Sequence, residues 1–141
     1  LVDPKKMIQI GQRATGYSAG DFQWAVDRGV RVVQAEECWL KSLSPLMEEV
    51  REIIGGDTPT YLTFDIDGID PAFAPGTGTP EPAGLTSPQA LEIIRGMWGT
   101  NLIGADLVEV SPPYDTSGNT SLLAANLIFE MLCSFPGCIR R

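Results

Sequence analysis

The sequence predicts an α/β fold: three layers, α/β/α, with a mainly parallel sheet in the middle. Three observations carry that expectation. Short apolar, β-branched runs alternate with helical patterns four times along 141 residues, as in strand–helix–strand units. The stretch 102–110 is almost continuously apolar, the signature of a parallel strand buried on both faces. Two of the apolar runs end in carboxylates, and in open parallel sheets the ligands gather at the carboxyl ends of the strands.

Each element can be justified in order. Met7-Ile-Gln-Ile10 reads as a short strand. A glycine-rich turn over 11–20 follows, carrying Arg13 and Tyr17. Ser18 is placed to cap a helix over 18–28, with Phe22, Ala25 and Val26 inward and Gly29 ending it. Residues 30–35 form a β-branched run and a second strand. Ser44-Pro45 opens a helix, because proline fits the first turn. Leu46, Val50, Ile53 and Ile54 follow at helical spacing, and Gly55-Gly56 stop it.

A third strand, 61–64, runs into Asp65 and Asp67. Residues 71–88 then hold five prolines, which exclude helix and central strand. A loop of that length in a compact domain is usually functional or disordered. Glu81 is its only charged residue, which argues against disorder. Thr86 and Gln89 have capping-box spacing. The helix they start puts Leu91, Ile94 and Met97 inward and ends near Gly99. The strand 102–110 carries Glu109 near its far end. Asn119 is placed to cap a last helix through about Cys133, with apolar Leu122, Ala125, Ile128, Phe129 and Leu132.

Composition narrows the function. Hydrophobic content of 43% and charged content of 20% are those of a globular protein. A net charge of −8 argues against nucleic acid and against anionic membrane surfaces, and no stretch is apolar enough to span a bilayer. The acidic balance is compatible with a cationic substrate. Cys38, Cys133 and Cys138 make an odd count without a secretory signal. Reduced thiols follow, with a cytoplasmic location expected and a mitochondrial one compatible. Leu1 is not an initiator Met, so residues 1–141 are expected to belong to a longer chain. There is no histidine, so chemistry that needs an imidazole is not completed by these residues alone.

Asp65 and Asp67 are the first candidates for chemistry. Where a strand frays into a loop, carboxylates at i and i+2 can converge on one point, and divalent cations take such oxygen ligands. Glu109 opens on the same edge of the sheet. A plainer alternative stands beside this one: Asp65, Asp67 and Asp70 cap a turn, and Glu109 pairs with an arginine such as Arg13 or Arg95. An EF-hand is excluded because its twelfth position falls on Gly76. Pro75-Gly-Thr-Gly78 lacks the lysine and spacing of a phosphate loop.

Read as a string, the residues say more. Phe64-Asp-Ile-Asp-Gly-Ile-Asp-Pro71, Pro75-Gly-Thr-Gly-Thr-Pro80, Gly84-Leu-Thr86 and Asp106-Leu-Val-Glu-Val110 resemble the ureohydrolase family of arginases, agmatinases and guanidino-acid hydrolases. Ile8-Gln-Ile-Gly-Gln-Arg13, Arg31-Val-Val-Gln-Ala-Glu-Glu-Cys-Trp39 and the run 118–132 are similar to its agmatinase and guanidinobutyrase branch. The resemblance covers essentially the whole chain.

It implies hydrolysis of a small guanidino substrate to urea and an amine at a binuclear manganese (Mn2+) centre. By position, Asp65 and Asp67 would be catalytic metal ligands. Glu109 and Thr79 would bind the guanidinium, and Asp70 would steady the ligand loop. The family's other ligands include histidines upstream, and none is present. The resemblance therefore implies that 1–141 is the C-terminal part of a single ureohydrolase domain, holding part of the metal site and inactive when isolated. A homo-oligomer, trimer or hexamer, is implied as well. Asp65-Ile-Asp-Gly68 also fits a haloacid-dehalogenase-like phosphatase, although prolines follow where that class needs a helix or cap. A third reading is an inactive fragment or a structural partner.

Overall fold

The computed structural model describes residues 2–138 except 15, 17, 19 and 22. The expectations for Tyr17 and Phe22 lie outside the described residues. In chain order the elements are β1 (Ile8–Gln12), α1 (Gln23–Asp27), β2 (Arg31–Gln34), α2 (Ser44–Ile54), β3 (Thr60–Asp65), α3 (Ser87–Gly96), β4 (Leu102–Val108) and α4 (Asn119–Ser134). Short 3-10 turns at Ala35–Cys38, Ile66–Gly68 and Pro112–Tyr114 link them.

The strands pair in parallel, as expected, but not in one continuous sheet. Among the described residues, β1 pairs with β2 and β3 with β4, giving two separate two-stranded sheets. β1 and β3 face each other across a cleft of about 640 Å³. The sequence pattern marks strands but not which neighbour each one takes. Thr77 and Val110 add one isolated antiparallel bridge, which ties the long loop to the end of β4.

Helix α3 holds the two halves together. It packs against α2 on one side and α4 on the other. One core cluster joins Val33, Leu43, Met47, Val50 and Leu102. The other joins Phe64, Ile66, Ile94, Leu127 and Met131. Ile93 belongs to the first and Ile94 to the second, so neighbouring residues of α3 serve both cores. The helices α2 and α3 approach closely at Gly96, where a Cβ would lie 2.5 Å from the Met47 side chain. The Arg51 guanidinium donates to the Gly96 carbonyl at 2.6 Å across the same contact.

Several expectations about ends and faces need correction. Ser18 is not the N-cap of a long helix: its N–H and Oγ both donate to the Asp21 carboxylate, at 3.0 and 2.6 Å. Only five residues of α1 follow, with Ala25 buried but Val26 exposed. Asn119 does not cap α4. Gly118 stands at the cap with φ 74, and Asp115 supplies the carboxylate, accepting from Thr120 N at 3.1 Å and Ser121 N at 2.8 Å. The buried stripe of α4 is Thr120, Ala124, Leu127, Met131 and Ser134, whereas Leu122, Ile128, Phe129 and Leu132 face outward. The capping box of α3 forms as read: Gln89 N donates to Thr86 Oγ1, and Thr86 N donates to Gln89 Oε1. No helix among the described residues is long and apolar enough to cross a membrane.

Candidate active site

The site is built where β3 and β4 end. β3 stops at Asp65 because the chain turns into the 3-10 turn Ile66–Gly68, and the Asp65 carboxylate accepts from Asp67 N at 3.1 Å. β4 stops at Val108 because Glu109 has φ 66, a left-handed conformation that a strand cannot continue. Past it, Ser111 N donates to the Gly76 carbonyl at 2.8 Å, so the long loop is sewn onto the end of β4. Glu109 is solvent-exposed at this corner.

The long loop returns to the same place. Gly76 N donates to Thr120 Oγ1 at 2.8 Å inside the protein. Only glycine fits there, since a Cβ would meet the Asp115 Cβ at 2.5 Å and its Cα at 2.9 Å. Thr79 then reaches the carboxylates: its Oγ1 donates to Asp67 Oδ2 at 2.8 Å. Farther along, Asp70 bridges the loop's two ends, accepting from Ala72 N at 2.8 Å and Gly84 N at 3.2 Å. Asp70 N donates to the Leu85 carbonyl and Leu85 N to the Gly68 carbonyl.

Asp65, Asp67 and Thr79 all line the cleft between β1 and β3, and Glu81 joins them at its end. Asp70 and Glu109 are not among the residues lining it. Glu109 is nonetheless near enough to act on Asp65. The Asp65 carboxyl is raised to about 6, first by desolvation and then by its carboxylate neighbours Asp67 and Glu109, against the lowering effect of the Asp67 N–H. The residue as a whole is exposed.

Salt bridges do not relieve this crowding. Arg31 pairs with Glu37 and Glu49, and Arg95 with Glu130. Arg13 gives all six of its hydrogen bonds to backbone carbonyls. The simple alternative, Glu109 paired with Arg13 or Arg95, is therefore not what the structure shows. Arg13 is the residue that sequence reasoning underrated. Its advance signals were its place in a glycine-rich turn directly after a strand and at the end of the Ile8-Gln-Ile-Gly-Gln-Arg13 string.

Can these residues hold a metal? Among the described residues, no three His, Cys, Asp or Glu side chains come together to do so. Asp65 and Asp67 fit as part of a set of hard oxygen donors, and only as part.

Known proteins match this chain over nearly all of its length. The arginase family model matches residues 1–133. The chain belongs to the arginase family. It is 69% identical over 141 residues to a guanidinobutyrase of Pseudomonas aeruginosa, covering all of this chain and 44% of that protein. It is 62% identical over 136 residues to the human mitochondrial guanidino acid hydrolase, covering 96% of this chain and 38% of that one. Among solved structures, the proclavaminate amidino hydrolase of Streptomyces clavuligerus superposes with a TM-score of 0.88 at 41% identity, covering 95% of this chain and 44% of that one. The fold is thus the three-layer α/β/α arginase-like fold. This member of the family spans less than half the length of the relatives it matches.

Proposed function

We propose that this chain supplies the carboxylate side of the active site of a manganese-dependent ureohydrolase, which splits a small guanidino compound into urea and an amine. Residues 1–141 are then the C-terminal part of a single domain, and the missing ligands come from the rest of the polypeptide. One observation carries the proposal most: Asp65 and Asp67 line one cleft, Glu109 follows the end of the neighbouring strand, and no salt bridge among the described residues engages any of the three, Arg13 giving its hydrogen bonds to main-chain carbonyls instead. Such a site calls for a cation. Names in the arginase family supply its class, since the relatives include a guanidinobutyrase and a guanidino acid hydrolase.

Each residue has a role in this reading. Asp65 and Asp67 would hold the binuclear manganese together with donors from elsewhere, and Thr79 fixes the rotamer of Asp67 through its 2.8 Å hydrogen bond. Bound manganese would ionise a water, which a resonance-stabilised guanidinium carbon requires as attacking group. Glu109 receives the planar guanidinium through charge-assisted hydrogen bonds and orients it. Thr79, at the end of the cleft, faces the same substrate, and Asp70 keeps the loop that carries it closed. By resemblance the complete protein is a trimer or hexamer. Its cysteines, none of them in a disulfide among the described residues, suit a cytoplasmic or mitochondrial setting. Membership of the arginase family removes the phosphatase alternative.

The test uses the complete polypeptide containing this segment. Urea release is assayed with manganese on guanidinobutyrate, agmatine, guanidinopropionate and a proclavaminate-like substrate. Asp67→Ala should lose both manganese and urea release. Normal metal content and turnover in that variant would refute the ligand assignment. The isolated 141-residue chain should release no urea.

A further inference from the structure

We propose that Arg13 is a positioning residue for this site: its guanidinium clamps the Asp67 turn to the Thr79 loop and so sets the distance between them. The proposal rests on the functional reading above for its consequence, and on geometry for its existence. Arg13 Nη2 donates at 2.6 Å to the Asp67 carbonyl and at 2.6 Å to the Glu81 carbonyl. Nε donates at 3.2 Å to the carbonyls of Glu81 and Pro82. Nη1 reaches the carbonyls of Gly11 and Gly68, both at 3.4 Å. One planar, five-donor group thus spans three chain segments, which a lysine ammonium cannot do.

These bonds close a ring. Thr79 Oγ1 holds the Asp67 carboxylate, the backbone runs two residues on to Glu81, and Arg13 returns from the Glu81 carbonyl to the Asp67 carbonyl. Side chain and main chain of Asp67 are therefore fixed from the same loop. The surroundings are shaped for the guanidinium: a Cβ on Gly84 would lie 2.9 Å from Arg13 Cζ and Nη2, besides meeting Asp70 N at 2.7 Å.

The loop's ends do not depend on Arg13. Gly76 is held by Thr120 and Ser111, and Gly84 by Asp70. Between them, Trp39 Nε1 donates to the Ala83 carbonyl at 2.9 Å. Losing Arg13 should loosen 77–82, which holds Thr79, and leave both cores standing. The predicted phenotype is a functional one: weaker manganese binding, because Asp67 loses its orientation, without collapse of the fold.

The experiment compares wild type, Arg13→Lys and Arg13→Ala in the complete polypeptide by amide hydrogen exchange, manganese titration and steady-state kinetics. Exchange at 77–82 should quicken at least about tenfold in both variants, as for one or two lost hydrogen bonds, with α3 and α4 unchanged. Apparent manganese Kd should rise by about 10–100-fold, the usual cost of removing a residue that orients a ligand. The fall in kcat/KM should be largely reversed by excess manganese. Arg13→Lys should follow Arg13→Ala, since charge without the fork cannot bridge three segments. A lysine variant with wild-type exchange and metal affinity would overturn the clamp. So would a lowered Tm with unchanged manganese affinity, which is what a purely structural arginine predicts. If the wild type released no urea from any guanidino substrate, the functional reading would fail instead, and exchange and metal titration would still judge the clamp.

Discussion

Thr79→Val separates two jobs that one hydroxyl could do. The substitution keeps the branched shape and removes the only proton Thr79 can donate. That proton points at Asp67 Oδ2, 2.8 Å away. Hydrogen bonds to charged groups contribute about 1.5–3 kcal/mol. Thr79 is solvent-exposed, so the lower end applies, and about 1.4 kcal/mol is tenfold in an equilibrium constant. The expected result is an apparent manganese Kd raised about tenfold, within the range for lost ligand-orienting contacts, with a fall in kcat/KM that excess manganese offsets. Thr79→Ser, which retains the donor, should stay near wild type. The assay is metal titration followed by urea kinetics on the same samples. If Thr79 instead donates to the guanidinium during turnover, KM rises while manganese affinity holds, and that pattern would refute the Asp67-orienting role.

Other perturbations test neighbouring parts of the structure. Glu109→Gln should leave manganese content unchanged and should not lower Tm, because none of the salt bridges among the described residues involves Glu109. It should cut kcat/KM by ten- to a hundredfold or so, through lost charge-assisted binding and lost orientation; a destabilised but kinetically normal variant would retire the substrate role. Thr120→Val should lower stability by about 1–3 kcal/mol by leaving the buried Gly76 N–H without its acceptor, and Thr120→Ser should not. Asp115→Asn weakens the cap of α4, where Ser121 and Thr120 hold the Asp115 carboxyl below the usual carboxylate range. A depressed acid stabilises above its unfolded value, about 3.9, and loses that contribution as pH falls through the folded value. Wild type should therefore melt higher than Asp115→Asn at neutral pH, and the gap should close in acid; a gap independent of pH would count against the cap.

How much of this was legible in the sequence depends on the range of the interaction. Strand and helix positions follow local pattern, and the Thr86–Gln89 box is a four-residue signal that formed as read. Ends were harder. The apolar run through Val110 hid the break at Glu109, because hydropathy does not report φ. Helix α4 is apolar almost all round, so periodicity could not choose its inner face, and Ala124, Leu127 and Met131 were buried in place of the larger Phe129 and Leu132. The division into two sheets was invisible, since it concerns which strand lies beside which. The role of Arg13 was equally hidden: all its acceptors but the Gly11 carbonyl are main-chain carbonyls 54 to 69 residues away, and a carbonyl carries no side-chain signature.

The candidate site itself can be separated from ordinary turn capping by comparing three aspartates. Asp65, Asp70 and Asp115 each accept backbone N–H groups, and capping alone should lower all three. Asp70 is lowered, chiefly by its backbone N–H bonds, and Asp115 is lowered first by the Ser121 hydroxyl and then by backbone N–H groups. Asp65 goes the other way, to about 6, because desolvation and the carboxylates of Asp67 and Glu109 outweigh its one cap bond. By linkage, an acid raised above its unfolded value stabilises the fold only while protonated, and that contribution fades as pH rises through the folded value. At neutral pH this strand end therefore works against folding. Asp70 and Asp115 earn their places by holding turns closed. Asp65 does so only weakly, and at a cost that a cation held by its carboxylate would remove. Local rules broken without structural gain mark functional sites, and here the break falls on Asp65, which opens into the cleft between β1 and β3.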